Sequence, residues 1–277
     1  MSLLEHIVPS KLSHKHTIIF LHGKDSTATE FASELFESQA SNDLTLPESL
    51  PHVKWVFPSA PTIYSARFDC HMSQWFDMWD VQQPHERSEG QVVDLVASIA
   101  TIVKLVDRES ATVGWENVVL GGISQGAGVA FYVAHRRKCA GLIGLSAWLP
   151  FRPQIDRLRT RAATRTVTEA VGREVRSGEE LSLFEAALRL ASGRDEEHVV
   201  RQISGLAGHC RDLPVFLTHC EDDQVVSIVN GYLAGKTLEQ LGAEVIWCSY
   251  AEGGHWLNEP QGMDDMLAFM RRFWPTA

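Results

Sequence analysis

Residues 118–128 read VVLGGISQGAG. A β-branched run leads into a serine flanked at two positions by glycine, and Gln125–His135 continues with helical character. Such a stretch calls for a strand that turns sharply into a helix, with small residues where side chains would clash. That unit fits a layered α/β chain, and the rest of the sequence repeats its rhythm. Thr17–Leu21 (TIIFL), Lys54–Phe57 (KWVF), Asn117–Leu120, Leu142–Leu145, Val215–Thr218 and Val245–Cys248 are short apolar runs. They have the composition of strands buried on both faces. Val92, Leu95, Val96, Ile99, Ile102, Val103 and Val106 recur at helical spacing between them. Met263–Phe273 also has helical character. The alternation predicts a mostly parallel sheet flanked by helices, with functional residues at the carboxyl ends of the strands.

At 277 residues the chain fits one domain, 1–277, with a sizeable insertion. The insertion is expected over 151–212, where no convincing strand occurs. An Arg-rich stretch (RLRTRAATRTVTEAVGREVR) opens it, and helices are expected around Leu181–Ala191 and Glu196–Leu206. Phe184, Ala187, Leu188 and Ala191 form an apolar stripe. The segment reads either as a surface elaboration packed on the core or as a lid over the site.

The net charge is −10 and no dense basic run appears, which disfavours nucleic acid and anionic membranes as partners. The five cysteines are odd in number and irregularly spaced, with no CxxC pair. Neither a disulfide framework nor a zinc site is expected, and a reducing, cytoplasmic setting fits. No apolar run approaches the ~20 residues that span a bilayer, so no integral membrane segment is expected. The first residues lack the pattern of a secretory signal, and no lipidation motif is read. The oligomeric state is not legible.

The G-x-S-x-G element makes Ser124 a candidate nucleophile. A serine needs a base, and the base needs a carboxylate. With the chain order Ser, acid, His, the possible bases are His198, His209, His219 and His255. His255, after the last apolar run and behind two glycines, is the best placed; His219, at the end of a strand, reads as structural. The loop after Val215–Thr218 offers Glu221, Asp222 and Asp223, among which spacing does not decide. Two backbone donors for an oxyanion are expected at Gln125, directly after the serine, and at Lys24, in the LHGK turn after the first strand, Thr17–Leu21. His22 is expected to brace that turn. Trp75 and Phe76 are most simply core aromatics. Trp75, Trp148 and Leu149 are the candidates for a substrate pocket. No cofactor or metal is called for.

Together these motifs resemble the acyl-protein thioesterase / lysophospholipase-carboxylesterase family of the α/β-hydrolase fold. The resemblance rests on FLHG (20–23), FPSAP (57–61), QWFD (74–77), LGGISQG (120–126), LSAWLP (145–150), HCEDDQVV (219–226) and EGGH (252–255). It covers about residues 17–150 and 213–274. It selects Asp223 as the acid, because His219, Asp223 and Val226 match the family's pattern there. It also implies the oxyanion residues already chosen and an apolar acyl groove beside Ser124. The loop HGKDSTATEF, with Lys24 soon after the glycine, departs from the family, as do Gln224 after the acid and the long insertion. The implied activity is hydrolysis of a carboxylic ester or thioester on a small-molecule or acylated substrate. Two alternatives stand beside it: a specialised product-releasing thioesterase or acyltransferase, and a ligand-binding receptor with little turnover.

Overall fold

The computed structural model describes residues 3–169, 181–203 and 211–274. Seven strands form the central sheet in the order β1–β3–β2–β6–β7–β8–β9. These are β1 (Glu5–Val8), β2 (His16–Leu21), β3 (Val53–Pro58), β6 (Val118–Ile123), β7 (Gly141–Leu145), β8 (Pro214–Cys220) and β9 (Glu244–Tyr250). All pair in parallel except β1, which runs antiparallel along the edge of β3. Two further strands, β4 (Thr62–Ser65) and β5 (Cys70–Ser73), form a separate hairpin. Each apolar run expected as a strand lies within a strand, except that Asn117 of Asn117–Leu120 belongs to the turn just before β6. The sequence reading does not include β1 or the hairpin, whose strands are four residues each and only partly buried.

The sheet is covered on both sides, and strand alternation divides the core in two. Ile19 and Leu21 of β2 point into one apolar cluster, Ile18 and Phe20 into the other. The first cluster includes residues of α3 (Val92–Val113), α4 (Gln125–Arg136) and α8 (Ile228–Gln240). The second includes residues of α1 (Ala28–Glu37) and α9 (Gln261–Arg271). The short α2 (Leu46–Ser49) adds Leu46 to the second cluster. β2 connects onward to β3 on one side, while its neighbour β6 continues to β7 on the other. The carboxyl ends of β2 and β6 therefore flank a topological switch point, where a crevice opens in folds of this kind.

The insertion contributes α5 (Arg152–Glu169), α6 (Leu183–Ala191) and α7 (Glu196–Gln202). The two expected helices are present, α7 ending by Gln202; the expected continuation to Leu206 lies outside the described residues, as does part of the Arg-rich stretch. The rest of that stretch belongs to α5, which the sequence reading left unassigned. Its signal was the sparse stripe Ile155, Leu158 and Ala162, all buried. Helix α6 starts at a capping box: Ser182 Oγ accepts from the Glu185 N–H, and Glu185 accepts from the Ser182 N–H, each at 3.2 Å. Phe184 is buried against Tyr132, edge to face at 4.8 Å, and stacks on His135 at 4.3 Å. Thr237 of α8 donates to Asp156 of α5 at 2.9 Å. The described part of the insertion is thus packed on the sheet's helical flank.

Candidate active site

Ser124 follows β6 directly and precedes the first residue of α4. Its φ of 54° and ψ of −122° are strained for a residue with a side chain. The flanking glycines make the turn possible. A Cβ on Gly122 would lie 2.5 Å from the Ala127 nitrogen, and one on Gly126 would lie 2.5 Å from the carbonyl oxygens of Leu21 and His22. Helix α4 is therefore pressed against the end of β2, which brings the His22–Lys24 turn beside the serine. A Cβ on Gly23 would sit 3.6 Å from Ser124 Cβ.

His22 is fully buried and ties this turn together. Its Nδ1 lies 2.7 Å from the Gly23 carbonyl oxygen, and its Nε2 accepts from the Ala60 N–H at 2.9 Å. Burial lowers its pKa, which suits a neutral ring that donates from Nδ1 and accepts at Nε2. Gln125 is equally fixed: Oε1 accepts from the Trp75 N–H and Nε2 donates to the Phe76 carbonyl, both at 2.7 Å. These bonds hold the QWFD segment against the start of α4.

The three acids of the loop after β8 have different surroundings. Glu221 is exposed. Asp222 accepts from the backbone N–H groups of Gly253 and Gly254 and so holds the glycine loop. Asp223 is buried, and its Oδ2 lies 2.8 Å from His255 Nδ1. Its Oδ1 accepts from the N–H groups of Val225 and Val226 at 2.8 and 2.9 Å. His219 Nε2 lies 3.1 Å from Oδ2 and 2.8 Å from the Val226 carbonyl oxygen. Burial alone would raise the Asp223 pKa, but the hydrogen bonds from His219, His255 and Val226 outweigh it and hold the carboxyl far below the usual carboxylate range. Asp223 stays ionised wherever the protein is folded near neutral pH.

His255 and Ser124 line one cavity of about 510 Å³, together with Gly23 and Lys24. Its apolar wall comes from Phe31, Phe68, Met72, Ile123, Val225 and Trp256. The sequence reading did not anticipate these residues. Phe68 and Met72 reach the site only because the β4–β5 hairpin folds over it, and Phe31 because α1 returns beside β3. The expected pocket residues are a correction: Trp75, Trp148 and Leu149 are each at most 1% exposed, and none lines the cavity. The Trp75 indole N–H donates to the His22 carbonyl at 2.8 Å, which turns the ring into the core. Trp148 packs edge to face on Phe76.

Part of the segment read as a surface elaboration or a lid, 170–180 and 204–210, lies outside the described residues. Among the described residues, none from 151–203 lines the cavity, because the apolar stripe of α6 is consumed by α4. Of the other histidines considered, His198 lies on α7; His209 is outside the described residues. No cluster of three or more His, Cys, Asp or Glu among the described residues is arranged to hold a metal. No helix among them is long and apolar enough to cross a membrane.

A strained serine at a strand–helix turn, at the switch point of a parallel sheet, defines the α/β-hydrolase fold class. Within it, residues 4–170 match the family described as phospholipase/carboxylesterase, and the chain belongs to that family. The chain is 25% identical over 277 residues to an acyl-protein thioesterase 1 of Gibberella zeae, covering 97% of this chain and 95% of that one. It is 28% identical over 165 residues to the acyl-protein thioesterase 1 of Cryptococcus neoformans, spanning 58% of this chain and 66% of the relative. In fold it resembles the crystal structure of Zea mays acyl-protein thioesterase 2, with a TM-score of 0.65, 24% identity and 98% of each chain covered. The protein is a hydrolase acting on ester or thioester bonds.

Proposed function

We propose that the protein is a serine hydrolase that cleaves carboxylic esters or thioesters with an apolar acyl part, through an acyl-serine intermediate. Ser124 Oγ attacks the carbonyl carbon while His255 Nε2 takes its proton. Asp223, bonded to Nδ1, sets the tautomer and balances the imidazolium charge. The backbone N–H groups of Lys24 and Gln125 receive the charge that develops on the carbonyl oxygen. His255 then protonates the departing alcohol or thiol, and a water repeats the sequence on the acyl-serine to release the acid. The reading is carried by one observation: the strained Ser124 and the Asp223-bound His255 open onto the same cavity, whose wall is mostly apolar. The substrate is an acylated small molecule or protein, in keeping with the names of the relatives. The free thiols of Cys70, Cys220 and Cys248 support a reducing, cytoplasmic setting; Cys210 lies outside the described residues.

The test is labelling with a fluorophosphonate together with turnover of nitrophenyl esters and matched thioesters of increasing chain length. Ser124 should be the labelled residue, and Ser124→Ala should lower turnover roughly 10^4-fold or more. Labelling at another residue, or turnover that survives Ser124→Ala, would overturn the assignment.

A further inference from the structure

The cavity that holds Ser124 is apolar on most of its wall, yet Lys24 stands on it. Its side chain is half-buried, and its ammonium lies 4.6 Å from the centre of the Phe68 ring. No carboxylate among the described residues comes within 4.0 Å of that nitrogen. An ammonium withdrawn from water without an ion-pair partner is costly, and a ring face compensates only in part. Burial lowers the Lys24 pKa, and Asp77, Asp25 and Cys70 act against that without cancelling it. Arg67, on the hairpin turn, adds a second positive charge nearby. Asp77 accepts from the Ala66 N–H at 3.2 Å through Oδ2, and its Oδ1 is buried without a hydrogen bond; it offsets the Lys24 charge in part without forming an ion pair with it.

Neither carboxylate on the cavity wall forms an ion pair with Lys24, although Asp25 partly offsets its charge. Asp25 and Glu34 are both exposed to solvent. Glu34 and Trp256 are shared with a neighbouring groove formed by Glu37, Ser38 and Glu259. Among the described residues that line the cavity, Lys24 is thus the one Lys or Arg, and it has no ion-pair partner.

We infer that Lys24 is an anion subsite, and that the preferred substrate is an ester or thioester carrying a carboxylate or phosphate close to the scissile carbonyl. The inference rests on the serine-hydrolase reading of the same cavity. Lys24 then serves twice: its backbone N–H faces the oxyanion, and its side chain reaches roughly 6 Å further along the wall to the substrate's fixed charge. That reach limits the anion to within a few bonds of the carbonyl. Anion binding completes an unpaired charge, so substrates without one forgo a charge-assisted contact in a partly dry site.

The test compares two substrate pairs. In one the anion is on the acyl side: the mono-nitrophenyl ester of glutarate against nitrophenyl butyrate. In the other it is on the leaving group: the butyrate ester of glycerol phosphate against that of glycerol. The wild-type protein should favour the anionic member of at least one pair by about 10-fold or more in kcat/KM, mainly through KM, and the favoured pair identifies which side carries the charge. Lys24→Gln and Lys24→Met should each lower that ratio about 10-fold, and Lys24→Arg should restore most of it. Raising the salt concentration should erode the wild-type ratio and leave the Lys24→Gln ratio unmoved. A ratio equal in wild type and both uncharged variants, for both pairs, overturns the subsite. Fluorophosphonate labelling separates the two levels: if Ser124 labels and the ratio does not move, the subsite alone fails, and if Ser124 does not label, the hydrolase reading fails.

Discussion

At the carboxyl ends of β2, β6 and β7 the backbone is strained: Asp25, Ser124 and Ser146 have φ of 60°, 54° and 44°. Buried polar groups crowd the same edge, including His22, Gln125, His219 and Asp223. In the helical segment 152–203 the described backbone has one positive φ, at Gly193. There the buried residues are apolar, such as Ile155, Leu158, Phe184 and Val199. One region stores strain and fixes polar atoms in place; the other fills space and covers a flank. Strain of this kind persists only where the surroundings over-determine it, which is what the bonds from His22 and Gln125 accomplish. The difference separates chemistry from stability, and substitutions in each region should respond accordingly.

The largest effect belongs to the polar edge. Asp223→Asn should lower kcat roughly 10^3 to 10^4-fold, because an amide at Nδ1 selects the wrong imidazole tautomer. Asp222→Asn, which loosens only the glycine loop, should cost far less. Steady-state kinetics on the two variants would break the assignment if the order came out reversed.

In the helical segment the effect should move from kinetics to stability. Phe184→Ala removes a ring enclosed by Tyr132 and His135 and should cost about 3–5 kcal/mol of unfolding free energy. The kcat of the protein that remains folded should change less than about twofold. Urea titration beside active-site-normalised kinetics would settle it, and a kcat falling in step with stability would tie the insertion to the chemistry after all.

A smaller effect is expected at His85, where the loop before α3 meets α5. Burial, and then repulsion from Arg152, push its pKa down to about 4. An unfolded histidine titrates near ~6.5. Between those values the unfolded chain binds more protons, so stability rises with pH. The contribution is complete above the unfolded value and is lost as pH falls through the window toward the folded one. Between pH 7 and pH 5 the wild-type protein should lose about 1–2 kcal/mol through this group. His85→Gln should flatten that part of the urea-midpoint profile, and an unchanged slope would show that other groups govern it.

Much of this was legible along the chain because its causes are local. The strands declared themselves by apolar runs, since a strand covered on both faces has few polar positions. Ser124 was legible because the clash that Gly122 and Gly126 avoid involves neighbours in sequence as well as the turn after β2. Asp223 was not separable from Asp222 and Glu221 by composition; family resemblance selected it, and the fold supplies the physical reason by burying it against His255 and His219. Trp75 and Trp148 looked eligible for a pocket because a tryptophan's type does not say which way it faces.

The sequence by itself determined the parallel sheet and the sharp strand–helix turn at Ser124, because both are set by short-range sterics and by the period of the apolar residues. Only the tertiary structure decided what surrounds the serine. Phe31 arrives from α1, Phe68 and Met72 from the hairpin, Val225 from beyond β8 and Trp256 from beyond β9. It also turned the stripe of α6 onto α4 rather than toward the cavity. Such encounters depend on where distant segments return in space, and an apolar side chain carries no record of which apolar neighbour it will meet.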